Sequence, residues 1–283
     1  MDAEEARRAL RSVGIDATAV RPIGDGWANW TFLVDGHLVV RFPRNPEVGD
    51  ATRRELRLLP ALRSHVSFAI PEPTVVGEHG GLPFFGYESI DGRALRAGDG
   101  PAAGAIGRVL AELHRFPVDR AAELLGSPPP GRAWRDRYES LWPVVEQVAL
   151  PELDPATADE VRWRYAGIVE APPAFPTCLI HNDLGPEHVL LDLDGRPVGL
   201  IDFEDAALGD PATDLVALLA CLGRHTLTHL LAGRDLGERL DERLHFYRWM
   251  GSVHAIVYGV REEQPDALAD GRRELPRRLA ARP

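Results

Sequence analysis

His181, Asp183, His188 and Asp202 are the residues of this chain whose types and spacing could do chemistry. The apolar run TCLI precedes His181 and Asp183, the run VGLI precedes Asp202, and HVLLD lies between them. These read as a strand, a polar loop and a hairpin turned by DGRP. Such an arrangement gathers Asp183, His188 and Asp202 at one edge of a small sheet. Two carboxylates and an imidazole converging there can hold a divalent cation and take a proton from an incoming hydroxyl. Singly, each is an ordinary turn residue, because Asp and Asn favour loops through local hydrogen bonds.

Together they form a longer pattern. H-x-D, a further ligand five residues on, and a second acid at the end of an apolar strand follow the order of kinase-type phosphoryl transfer. The segment resembles the aminoglycoside phosphotransferase family of antibiotic and other small-molecule kinases, which share the protein-kinase fold. His181-Asn182-Asp183 is similar to its catalytic triplet, Ile201-Asp202-Phe203 to its metal-binding triplet, and Gly209-Asp210-Pro211 with Asp214 to its G-D-P-x-x-D brace. The resemblance implies Asp183 as the base, His188 and Asp202 as metal ligands, and His181 and Asp214 as supports of the loop. Two positions depart from the family's usual form: His188 stands where asparagine is common, and Glu204 where glycine is. Mg2+ prefers hard oxygen ligands, so His188 leaves Mn2+ open beside it. Branches with histidine here include users of GTP, so both ATP and GTP remain as the co-substrate.

The elements that must position these residues are an α+β, bilobal set. Residues 1–91 are expected to form a small lobe with an antiparallel sheet and one main helix, and residues 92–283 a larger, mostly helical lobe. Residues 2–13 read as a helix, and VRPIGDGWANWTFLVDGHLVVRFPR as strand, glycine turn, strand, Asp-Gly hairpin and strand. Gly24 and Gly26 allow a backbone to approach phosphate oxygens, although G-D-G alone is also an ordinary turn. By resemblance, Arg41 holds the nucleotide phosphates, Glu55 in the helical stretch ATRRELRLLPALRSH is its ion-pair partner, and backbone groups around Glu88 to Ile90 meet the purine. Arginine is a forked, planar cation and no equivalent of the lysine of protein kinases. An amphipathic helix is expected over 101–116, with His114 as its cap or a packing residue. Mostly helical sequence follows over 132–170, then a buried helix in LVALLACLG and a long helix over about 236–263.

The net charge of −11 argues against a broad nucleic-acid footprint and permits a cationic ligand. All 32 basic residues are arginine. No run of about eighteen apolar residues occurs, and the N-terminus lacks a signal-like apolar core, so a cytoplasmic protein without membrane contact is expected. Cys178 and Cys221, both in apolar runs, read as free thiols. A monomer is expected, with a dimer as the alternative. The reaction expected is transfer of the γ-phosphate of ATP or GTP to a hydroxyl of a small molecule. Glu187, Glu204, Asp205, Glu262 and Glu263 are candidate acids of the acceptor cleft. They favour a cationic, hydroxylated antibiotic: aminoglycosides first, then basic cyclic peptides and macrolides, with metabolites as alternatives. Two other classes compete: a metal-dependent hydrolase using His181, Asp183, His188 and Asp202, and a silent kinase fold that only binds.

Overall fold

The computed structural model describes residues 1–24, 28–128 and 130–281. Helix α1 (Ala3–Ser12) starts at Asp2, whose carboxylate accepts from the N–H groups of Glu4 and Glu5 at 2.9 and 2.8 Å. Strands β1 (Val20–Pro22), β2 (Asn29–Val34) and β3 (Leu38–Pro43) follow, then helix α2 (Pro46–Arg63) and strands β4 (Val75–His79) and β5 (Leu82–Glu88). The five strands form one antiparallel sheet in the order β1-β2-β3-β5-β4. The β2–β3 hairpin turns through Asp35 and Gly36 at φ 49° and 79°, the positive pair a tight hairpin demands. One face of the sheet packs Phe32, Phe42 and Phe84 against Ala6, Ala9 and Leu10 of α1.

Helix α2 covers the other side of the sheet with Leu58, Leu59 and Leu62, each buried and worth about 1.5–3 kcal/mol of apolar transfer. It starts earlier than its apolar pattern indicates. Asn45 accepts from the Val48 N–H at 3.0 Å and Pro46 occupies the first helical position, so a cap lying outside the periodic stretch sets the boundary.

The larger lobe runs β6 (Arg93–Ala94), α3 (Ala103–His114), α4 (Val118–Leu125), α5 (Pro130–Val144) and α6 (Pro155–Glu170). It continues through β7 (Cys178–Ile180), β8 (Val189–Leu191), β9 (Pro197–Leu200), β10 (Ala207–Gly209), α7 (Val216–Leu222), α8 (Leu227–Leu231), α9 (Leu240–Arg261) and α10 (Pro265–Ala280). Ile106, Leu110 and Leu113 of α3 are buried at the centre of the main core. On the same helix Gly107 lets α8 approach, since any side chain there would collide with the Leu230 carbonyl.

Two features differ from the sequence reading. The strands of the catalytic stretch belong to two sheets: β7 pairs with β10, while the β8–β9 hairpin pairs with β6. Ile180 opposes Ala207, so the residues leaving β7 and those entering β10 emerge side by side. Helix α10 was not expected, because Glu274, Arg277 and Arg278 dilute its apolar face; only Gly271, Leu275 and Leu279 are buried. Its start is marked by Pro265 in the first turn.

Candidate active site

Arg41 sits on β3, buried to 6 % exposure, and holds three carboxylates. Its Nη1 donates to both oxygens of Glu55 on α2, at 3.0 and 3.1 Å. Its Nη2 donates to Asp202 Oδ1 and to Glu204 Oε2, both at 2.7 Å. The Asn29 amide on β2 also donates to Glu204 Oε2. Burial pushes the Glu55 carboxyl up to about 7, against the pull of Arg41. Glu204 is also pushed to about 7, again first by burial and against Arg41. Asp202 goes the other way: burial acts to raise it, but Arg41, His188 and His181 together hold it below the usual carboxylate range. The cluster thus ties the sheet, α2 and the turn after β9 to one guanidinium.

A cleft of about 300 Å³ opens beside it, lined by Thr31, Arg41, Asp183, Glu187, His188 and Asp202. His188 Nδ1 lies 2.7 Å from the Asp183 carbonyl, which can only accept, so the proton is on Nδ1 and the lone pair on Nε2. That Nε2 faces Asp202 Oδ2 at 3.7 Å. An imidazole lone pair and a carboxylate oxygen opposed in this way fit a divalent cation. Among the described residues no set of three metal-ligating side chains converges, and the expected ligands His188 and Asp202 stand as a pair. Asp183 lines the same cleft but meets His188 only through its backbone. A pair suits a cation that keeps water and phosphate oxygens as its other ligands. It does not suit the hydrolase reading, whose fourth member, His181, is wholly buried with Nε2 donating to the Ile201 carbonyl at 2.8 Å.

The loop after β7 is held from below by Asp214. Its two oxygens accept the N–H groups of His181 at 3.0 Å and Asn182 at 2.8 Å, and Oδ2 accepts His114 Nε2–H at 2.9 Å. Burial alone would raise the Asp214 carboxyl; the His114 bond and the charges and donors around it keep it below its ordinary value. Arg234 Nη1 donates to His114 Nδ1 at 2.7 Å. A second buried group holds the β10 end: Asp210 accepts from Arg243 and, at 2.7 Å, from Tyr247 Oη, which accepts from Trp134 Nε1 at 2.7 Å. Asn182 and Asp202 are both left-handed, at φ 71° and 69°. Non-glycine residues held this way cost about 1–3 kcal/mol each and cluster at functional sites, where the surroundings over-determine them.

The structure therefore gathers Asp183, His181, His188, Asp202, Asp214, Arg41, Glu55 and Glu187 around one cleft. Gly24, at φ 72°, precedes the glycine turn, whereas Gly26 lies outside the described residues. Glu88 is the last residue of β5, and Ile90 lies two residues beyond it. Of the five acids expected at the acceptor cleft, Glu187 lines the cleft with Asp183. Glu204 is turned onto Arg41 because its backbone continues from Asp202 toward the same guanidinium, and Asp205 alone of that pair is exposed. Although its side chain reaches solvent, loss of water to the surrounding protein and then the like charge of Asp183 raise the Asp205 carboxyl. Glu262 and Glu263 lie exposed at the α9–α10 turn, where the Glu262 N–H caps α9. The sequence reading missed His114, Arg234, Asn29 and Arg137; the last donates to Asn182 Oδ1 at 2.7 Å. Only His114 carried a visible signal, at the end of an apolar helix.

A two-lobed sheet-and-helix fold with a basic clamp, a metal-ready pair and a braced acidic loop in one cleft defines a small-molecule kinase. Residues 19–249 match the phosphotransferase enzyme family, and the chain belongs to it. It is 26% identical over 250 residues to viomycin phosphotransferase of Streptomyces vinaceus, covering 84% of this chain and 87% of that one. The GDP complex of wild-type aminoglycoside 2'-phosphotransferase-IIIa superposes with a TM-score of 0.86 at 27% identity over 99% of both chains. The GDP and kanamycin complex of APH(2″)-IIIa gives 0.85 at 27% identity over 97% of this chain and 98% of that one. Among the described residues no helix is long and apolar enough to cross a membrane.

Proposed function

We propose that this enzyme moves the γ-phosphate of ATP or GTP to a hydroxyl of a cationic antibiotic, an aminoglycoside first, and thereby protects a host that carries it. The observation that carries the reading is the pairing of an exposed Asp183, on a loop braced by Asp214, with the Arg41–Asp202–His188 group across one cleft. Likeness to structures holding GDP and kanamycin supports nucleotide and acceptor. Viomycin is the second acceptor, supported by the relative that phosphorylates it.

In this mechanism Asp183 orients the acceptor hydroxyl and takes its proton as the oxygen attacks the γ-phosphorus. The bond to the bridging oxygen breaks, and a nucleoside diphosphate leaves. Asp202 and His188 would hold Mg2+, or Mn2+, which when bound neutralises phosphate charge. Arg41 exchanges its contact with Asp202 for the phosphates while Glu55 keeps it aimed. The glycine turn at Gly24 lies over the phosphates, and the backbone from Glu88 to Ile90 meets the base, at a lobe division near residue 91. We place the reaction in the cytoplasm, where nucleotide is supplied. The test is incubation with ATP or GTP and a panel of aminoglycosides, viomycin and a macrolide, read by mass for one added phosphate. Phosphorylation of a cationic drug is expected. Product with the macrolide alone would overturn the choice of an aminoglycoside or viomycin as acceptor, and no product with any drug would overturn the antibiotic reading.

A further inference from the structure

We propose that Arg137, on α5, is a positioning residue that sets the aim of Asp183 through Asn182. The proposal rests on Asp183 being the base. Asn182 is left-handed at φ 71°, a conformation asparagine adopts more readily than most L residues and that local hydrogen bonds select, and it directly precedes Asp183. Three contacts hold it. Its N–H donates to Asp214 Oδ1 at 2.8 Å, its Nδ2 donates to the Asp205 carbonyl at 3.0 Å, and its Oδ1 accepts from Arg137 Nη1 at 2.7 Å. The amide orientation is unambiguous: the Asp205 carbonyl can only accept and the guanidinium can only donate, so each end of the amide has one permitted partner. Two of these holds come from the core of the larger lobe and the turn after β9. The third comes from a different body, α5.

Helix α5 is a firm base for that contact. Trp134 and Tyr138, on either side of Arg137 in the helix, are buried, with Trp134 bonded to Tyr247 and the Tyr138 carbonyl accepting from Tyr165 Oη at 2.5 Å. Arg137 itself is exposed, so its bond is not a requirement of the core. The bond to Asn182 sets the guanidinium beside the 202–206 turn, since the same side-chain amide donates to the Asp205 carbonyl. An acceptor seated between α5 and that turn would touch the helix that steers the base, so binding and aim are joined at one residue. The sequence gives no sign of this, since Arg137 and Asn182 are 45 residues apart and lie in different motifs.

The test measures kcat and KM for nucleotide and for the acceptor found by the drug panel, together with basal hydrolysis of ATP or GTP to water, in Arg137→Ala, Arg137→Lys, Asn182→Ala and Arg137→Ala/Asn182→Ala. Arg137→Ala should lower kcat about tenfold, the scale of one charge-assisted hydrogen bond, with nucleotide KM and Tm little changed. Arg137→Lys should recover most of the loss, and Arg137→Ala should add nothing once Asn182 is alanine. Unchanged kcat, a loss confined to acceptor KM, or additive losses in the double variant would overturn the assignment while leaving the kinase reading intact. A wild-type protein that neither transfers phosphate nor hydrolyses nucleotide would overturn both.

Discussion

The two sides of the cleft are built by opposite means. On the phosphate side, one buried guanidinium carries Glu55, Asp202 and Glu204, and almost every polar atom has a charged partner. On the acceptor side, Asp183, Asp205 and Arg137 are exposed and the contacts are single hydrogen bonds. The buried side has one geometry because a charge in low dielectric must be paired. The exposed side is free to vary, since water satisfies whatever a substrate does not. Under the proposed function, the buried side would serve the nucleotide and the exposed side the acceptor.

The comparison can be broken from the buried side first. Asp202→Ala should abolish the metal dependence of nucleotide binding, checked by calorimetry with and without Mg2+; retained dependence would move the metal elsewhere. Glu55→Ala leaves the buried Arg41 short of its main partner and should cost about 3–5 kcal/mol of stability in urea unfolding. A loss below about 1 kcal/mol would mean that Asp202 and Glu204 suffice. His114→Ala strips a donor from buried Asp214 and should cost about 1–3 kcal/mol, with a fall in kcat and little change in nucleotide KM.

A smaller effect sharpens the contrast through pH. Glu55 and Glu204 titrate near 7 in the folded chain against 4.5 for an ordinary glutamate, so between those values the folded protein holds protons the unfolded chain has lost. Their contribution is fully present below the lower value and fades as pH rises through the higher one. Tm of the nucleotide-free protein should therefore fall as pH rises from about 5 to about 8, and Glu204→Gln should flatten the slope. A Tm that rises over that window would contradict the raised values.

What the sequence revealed follows a different divide, between local pattern and long-range contact. Asp183, Asp202 and Asp214 stand at fixed places beside short apolar runs, and Arg41 follows the apolar run LVV, so local pattern carried them. His114 meets Asp214 across 100 residues, and Asn29 meets Glu204 across 175, separations at which no local pattern survives. Glu204 was expected on the acceptor wall because it stands, with Asp205, beside the Ile201-Asp202-Phe203 triplet. Adjacency in sequence did not tell which way each side chain turns, and Arg41 drew Glu204 to the other side. The β7–β10 pairing was hidden likewise, since both strands have three residues and the better hairpin signal lay between them.

The central claim is that Asp183 takes the proton of an antibiotic hydroxyl during phosphoryl transfer. It is tested most directly by following the labelled γ-phosphate of ATP or GTP onto the drug in the wild type and in Asp183→Asn, at matched nucleotide occupancy. The account predicts label on the drug with wild type, and transfer at least about a hundredfold slower in Asp183→Asn with metal-nucleotide affinity unchanged. Equal transfer by the two proteins would contradict it.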